Sequence, residues 1–342
     1  MTSKFLLALT VFLTTFIWYS CELPVQNTDI TPPPPTGDTT DCTWIYTGDL
    51  GNTWEVYKLD YCNFIKGIDI LSTTAYGTLI AVGNNGKILR STDGGGDFTV
   101  VGEGLTTEDL NDVSNDGYNL AGVIVGNNGT LFETVDDGIT WNRLTSPVNE
   151  SYMSIDFDTA SGFGLTVGSH ATILQTPDRG YTWNTMQTDP NSSITYRKVQ
   201  ITGNFNAFVL GDDVNGGQPK ILRTLDQGAS WTEVVLPSIS GTHLYSLNMK
   251  TNSDTGIVVG SGGFMLRTVD GGLNWGPLSS GVSDDLFAVL FNDEICIAVG
   301  NKVILKSFNN GDSWEVDRLS DANGNLYAIF QWDVGNYFIA GD

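Results

Sequence analysis

Short apolar runs that end in glycine punctuate this chain at near-regular intervals, closing on Gly83, Gly126, Gly168, Gly211, Gly260, Gly300 and Gly341. They are too short for core helices and lack polar alternation, so each predicts a strand covered on both faces. Between them recurs a second pattern, Ser/Thr-x-Asp-x-Gly-x-polar-Trp. Its third position is Asp49, Asp93, Asp136, Asp178, Asp226, Asp270 and Asn309. Its last position is Trp54, Phe98, Trp141, Trp183, Trp231, Trp275 and Trp314. Successive third positions lie 44, 43, 42, 48, 44 and 39 residues apart. A period near 40 residues with several short strands in each predicts a solenoid or a propeller.

One period shows the elements. Residues 64–70 alternate loosely and predict a first strand; residues 78–83 are the apolar second strand. Asn84, Asn85 and Gly86 form a hairpin turn, since Asn-Gly supplies positive φ. Residues 87–91 predict the third strand and residues 98–101 the fourth, with the Asp pattern as the turn between them. Four antiparallel strands, repeated, make a propeller blade. The first Asp pattern has no glycine landmark before it and the last glycine has no Asp pattern after it. Residues 43–59 and 326–341 are therefore expected to share a blade. The expected fold is an all-β, seven-bladed propeller of four-stranded antiparallel blades, closed by strands from both ends of the chain.

The Asp pattern has structural work to do. Its carboxylate accepts hydrogen bonds from its own turn, its glycine adopts a backbone angle that other residues resist, and its tryptophan fills the gap between sheets. Near-equal spacing puts each copy in a different blade, so the six carboxylates do not converge on one centre. The pattern is the Asp-box, or BNR, repeat. It resembles that of sialidases, the sortilin receptor propeller, two-propeller xyloglucanases and, over residues 43–342, the photosystem II assembly factor family. In that family a strand ending Val-Gly leads through a short turn to an Ile-Leu-Arg-like strand and then the box. Residues 81–90 and 259–267 match this order. The assembly factor is a chaperone of the thylakoid lumen, so the resemblance implies a protein-binding propeller; similar propellers also occur as exported bacterial proteins. The repeat specifies fold far better than function.

The start of the chain reads as a targeting segment. Lys4 precedes an apolar run from Phe5 to Tyr19, which is short for a membrane span and fits a signal peptide over residues 1–20. Ser20 followed by Cys21 resembles a bacterial lipoprotein signal, with Cys21 as the acylated residue; ordinary cleavage leaving a plain thiol stays open. Residues 21–41, with four consecutive prolines, form an extended tether, and residues 42–342 form the propeller. The expected setting is an exported, membrane-anchored protein of a bacterial envelope. In oxidising surroundings Cys42 and Cys62, which flank the first box, are expected to pair, whereas Cys296 sits in an apolar strand as a buried small hydrophobe.

Sixteen basic against 39 acidic residues give a net charge of −23. Nucleic-acid binding rests on Lys and Arg at phosphates, so it is excluded as an expectation, and a basic protein partner is favoured. Two histidines in different repeats support neither a Ser-His-Asp centre nor a metal cluster, and no cofactor motif is present. A sialidase needs three converging arginines. Arg90, Arg223 and Arg267, with Lys306, share one repeat position, and of the remaining arginines only Arg197 lies on a predicted innermost strand. No pair of glycosidase carboxylates stands out. The expectation is thus a non-catalytic, monomeric, protein-binding or complex-assembly module, with a glycan-active or glycan-binding propeller as the alternative. The face opposite the boxes carries irregular loops, and Glu108, Asp109, His170, Asp212, Asp213 and Asp284 are its candidate binding residues.

Overall fold

The computed structural model describes residues 42–47, 55–59, 65–72, 77–118, 120–203, 206–239, 241–251, 253–292, 295–319, 324–333 and 336–341. The signal segment, the tether, the first box with Asp49 and Trp54, and the Cys42–Cys62 pairing lie outside the described residues.

The described strands form seven four-stranded antiparallel sheets. Against the expected ring of seven blades, only six are uninterrupted in sequence, and the remaining sheet is composite. Six sheets are each built from four consecutive strands. The remaining sheet takes Leu326–Asp333 and Asn336–Gly341 from one end of the chain, and Cys42–Thr47 and Glu55–Leu59 from the other. Trp44 pairs with Ala340 and Thr47 with Tyr337 across that seam. The innermost strands are Ile65–Ser72, Leu110–Asn115, Tyr152–Asp158, Ile194–Gly203, Leu244–Met249, Leu286–Phe291 and Leu326–Asp333. Each packs beside the next, and the last packs beside the first. The ring therefore leaves no open sheet at its seam.

The period read in detail from sequence folds as Ile65–Ser72, Thr78–Gly83, Ile88–Ser91 and Thr99–Val101. Thr78–Gly83 is buried at every residue, and Asn85 and Gly86 take φ of 57° and 71° in the hairpin turn. The core lies between blades. Ile80, Val82 and Ile88 of one blade pack with Val113, Ile124 and Phe132 of the next, and Trp141 closes the same cluster.

The boxes are the joints of this packing. Asp136 Oδ1 accepts the Thr140 N–H at 2.9 Å and Oδ2 accepts the Thr140 hydroxyl at 2.6 Å, while the Thr134 hydroxyl accepts the Gly138 N–H at 3.0 Å. The pattern repeats around Asp178, Asp226 and Asp270. Asn309 substitutes without loss, because its Oδ1 accepts the Ser313 N–H and its Nδ2 donates to the Ser313 hydroxyl. The residue between Asp and Gly is also left-handed, with φ from 57° to 64° at Asp137, Arg179, Gln227 and Asn310. The box glycine then lies against the preceding blade: a Cβ on Gly138 would stand 2.5 Å from Ile80 Cδ1. Arg90 reinforces the joint by donating from Nε to the Asp137 carbonyl at 2.7 Å and from Nη2 to its carboxylate at 2.8 Å. Arg267 likewise reaches the next blade, pairing with Asp312 just after its box glycine. At the same repeat position Arg223 lies over Phe208 and Lys306 pairs with Asp317, both within their own blade, so the clamp belongs to Arg90 and Arg267. Cys296 is fully buried, and desolvation pushes its thiol pKa well up.

Candidate functional site at the channel mouth

The innermost strands line a central channel, and their exposed edges present N–H groups with no sheet partner. Side chains from the preceding blade satisfy them. Asp69 accepts from Asn115 N at 2.7 Å, Asp112 from Ile155 N at 3.2 Å and Asp156 from Ile201 N at 2.6 Å. Gln200 and Asn248 do the same for Met249 and Phe291. These polar residues tie neighbouring blades together at the axis and meet the demand that buried backbone groups be paired.

Three of the carboxylates surround one ammonium. Lys198 Nζ lies 3.5 Å from Asp112 Oδ2. The Lys198 pKa is raised, because attraction to Asp112, Asp156 and Asp69 outweighs the opposing cost of burial. Burial pushes Asp69 up to about 6 and Asp156 up to about 7, against the lowering effect of the N–H groups they accept.

Toward the face opposite the boxes the channel opens into a mouth, where every innermost strand carries a β-bulge. The register slips at Ile65/Gly67, Leu110/Asp112, Tyr152/Ser154, Tyr196/Lys198, Leu244/Ser246, Leu286/Ala288 and Leu326/Ala328. The extra residue in each bulge lines the mouth: Lys66, Asn111, Met153, Arg197, Tyr245, Phe287 and Tyr327. A bulge re-aims one side chain without ending the strand.

The ring of seven is two-sided. Tyr245, Phe287 and Tyr327 stand on consecutive blades, with centroids 5.3 Å and 5.1 Å apart and planes inclined by 49° and 41°. His243 continues the row beside Tyr245 at 6.3 Å, with planes 21° apart. Arg197 precedes this arc in the ring and Lys66 follows it, with Asn111 and Met153 completing the circle. Lys66 Nζ donates to Asp109 at 3.0 Å and to Asn111 Oδ1 at 3.1 Å. Arg197 donates from Nε and Nη2 to Asp212 Oδ2 at 3.4 Å and 3.3 Å. His243 Nδ1 lies 2.7 Å from the same oxygen. Asp212, 1% exposed, therefore holds two mouth side chains from behind.

The six candidate residues read from the loops fall into different places. Asp212 lies inside strand Asn206–Asp213 rather than in an enlarged turn, and it is buried because two basic groups claim it. Asp109 borders the mouth, paired with Lys66 and accepting from Asn85 N. Asp213 accepts from Asn215 N. Glu108 accepts from Asn128, His170 Nδ1 lies 2.6 Å from Glu150, and Asp284 pairs with Arg318 at 2.7 Å. These acids are spent on local partners rather than gathered into one acidic patch. Of the mouth lining, sequence reasoning reached Asp109 and, among the bulged residues, Arg197 alone. The others occupy a fixed place, 13 to 17 residues before the landmark glycine, but share no residue type.

Residues 140–275 match the family described as photosynthesis system II assembly factor YCF48. The fold is similar to YCF48 from Cyanidioschyzon merolae, with a TM-score of 0.66 at 17% identity over 88% of this chain and 97% of that one. A structure titled YCF48 bound to D1 peptide aligns with a TM-score of 0.63 at 16% identity, over 91% of this chain and all of that one. The GH74 xyloglucanase from Xanthomonas campestris aligns with a TM-score of 0.60 at 15% identity, over 73% of this chain but 46% of the enzyme. No curated protein matches in sequence. The chain has the fold of a BNR-type β-propeller, and its residues 140–275 are similar to the photosystem II assembly factor family.

Proposed function

We propose that this chain is a non-catalytic, protein-binding propeller that receives a polypeptide segment of its partner at the channel mouth. The observation that carries the reading is the ring of seven bulged residues. They are the places where the repeats diverge from one another, and they converge on one opening. A mouth of about 570 Å³ has the size of a ligand site with a few placed polar groups. A propeller of this fold has been solved with a peptide bound, which supports a polypeptide ligand. The channel carboxylates accept backbone N–H groups, a structural employment that favours binding over hydrolysis. The net charge of −23 favours a partner whose surrounding surface is basic, drawn in by a field that salt screens.

Acylation of Cys21, with residues 22–41 as tether, would hold the propeller at a bacterial envelope membrane. A photo-crosslinking residue at Met153, on the mouth, tests the reading in the cell that makes the protein. It should yield a discrete crosslinked polypeptide, and the same residue at Val269, on the box face, should not. Crosslinks from Val269 alone would contradict it.

A further inference from the structure

The channel keeps its two-sided character below the mouth. Behind Phe287 and Tyr327 its wall runs through Ala288, Leu290, Ala328 and Ile329, whereas Ser246 and Asn248 stand behind Tyr245 and the opposite wall carries Asp112, Ser154 and Lys198. A ligand that enters must be apolar along one side and polar along the other.

The balance of hydrogen-bonding capacity defines the polar side. The acids at the mouth are engaged: Asp109 with Lys66 and Asn85 N, and Asp212 with Arg197 and His243. The cations keep capacity in reserve. An ammonium has three donors and a guanidinium five; Lys66 uses two on protein acceptors and Arg197 uses its Nε and Nη2, leaving Nη1 without a partner among the described residues. A group arriving at the centre therefore meets open donors on Lys66 and Arg197. These donors sit at the two ends of the aromatic arc. Three rings inclined to one another by 41° to 49° offer faces and edges to a further flat ring, the arrangement aromatic pairs prefer.

We propose that the mouth seats one aromatic side chain of a polypeptide on the arc of Tyr245, Phe287 and Tyr327, and the carboxylate beside it on Arg197 or Lys66. This rests on the reading of the mouth as the polypeptide site. The carboxylate comes from an adjacent Asp or Glu, or from a chain terminus that ends in the aromatic residue. It is a single carboxylate, because a protein of charge −23 repels a polyacidic segment. Asp212 is a positioning residue, fixing the Arg197 guanidinium from behind.

Fluorescence anisotropy with labelled synthetic peptides tests this. The probes are a capped hexapeptide with a central Phe-Asp pair, its Phe→Ala and Asp→Asn analogues, and a peptide ending in Phe with a free or an amidated terminus. The Phe-Asp peptide or the free-terminus peptide should bind, and the stronger of the two names the source of the carboxylate. Removing the ring or the charge should each weaken binding by about tenfold, the scale of a charge-assisted hydrogen bond or a buried aromatic contact. In the Phe287→Ala protein the Phe→Ala peptide change should cost nothing further. In the Arg197→Gln, Lys66→Gln protein, loss of the carboxylate should cost nothing further. Peptides selected at the mouth that carry neither group would overturn this inference and leave the polypeptide site standing. A mouth that binds glycans and no peptide would overturn both.

Discussion

The carbonyl oxygen of Ser151 lies 1.9 Å from the point where a Cβ on Gly168 would stand. Gly300 has the same relation to Asp285 and Gly341 to Asn325, at 1.9 Å and 2.0 Å. In each case the chain folds over the glycine as it enters the innermost strand, and the residue after Gly168 and after Gly300 binds that carbonyl, with Ser169 N at 2.9 Å and Asn301 N at 3.0 Å. The glycine is needed for close approach rather than for a left-handed angle, since Gly83 and Gly260 are extended, with φ of −166° and −162°. The landmark glycines are thus the other half of the bulges that build the mouth.

Gly168→Ala should therefore strain the joint, at the ~1–3 kcal/mol typical of overpacking, and should move Met153. Thermal unfolding measures the first effect, and crosslinking from position 153 reports the second. An alanine variant of wild-type stability with unchanged crosslinks would detach the glycines from the mouth.

The boxes should behave as joints. Trp141→Ala removes a side chain buried between two blades and should cost ~3–5 kcal/mol, while any surviving folded protein binds its ligand as before. Thermal melts beside peptide binding separate the two. Full stability with lost binding would return the boxes to the functional site.

The pH dependence has two limbs of opposite sign. Hydrogen bonds from the Asn274 side chain, its N–H and Thr268 hold Asp270 down at about 2. Its contribution is present above the ordinary carboxylate range near 4 and is lost as pH falls toward 2. Asp156 and Asp69, raised to about 7 and 6 by burial, act the other way. Their contribution is complete below the ordinary carboxylate range and is lost as pH rises through 6 to 7. Melting temperature should decline between about pH 4 and 7 (from the ordinary carboxylate value to the raised ones), and Asp156→Asn should flatten that decline. An unchanged slope in the variant would place the titration elsewhere.

The fold was legible because its determinants repeat. Hairpin glycines, box turns and interblade tryptophans answer to backbone geometry and packing, which are the same in every blade. One period read from residues 64–101 coincides closely with four strands of the structure. The unmatched landmarks toward the two ends pointed to the shared blade, and strands from residues 42–59 and 326–341 do meet in one composite sheet beside six continuous ones. The mouth was largely illegible for the converse reason. Its seven positions are defined by a shared backbone slip, and the slip leaves residue type free. Lys66, Met153 and Phe287 share no chemistry. Asp212 misled because it follows a glycine and precedes Asp213, Asn215 and Gly216, which reads as a turn. Pairing with Arg197 and His243 instead keeps it within the strand.

Arg197 should depend on Asp212. Asp212→Asn keeps the volume and removes the charge that holds both Arg197 and His243. It should weaken a carboxylate-bearing peptide more than its amide analogue, a difference that general destabilisation would not produce. Equal losses for both peptides would assign Asp212 a purely structural role.

The central claim is that partner recognition occurs at the bulge ring and nowhere else on the propeller. Selection of a random peptide library on the wild-type propeller, with the selected peptides re-measured on two variants, tests it most directly. Peptides should be recovered whose binding is abolished in the Arg197→Gln, Phe287→Ala variant and unchanged in the Leu273→Ser, Asp312→Asn variant of the box face. Peptides that bind the mouth variant as well as the wild type, or that fail only on the box-face variant, would contradict the account.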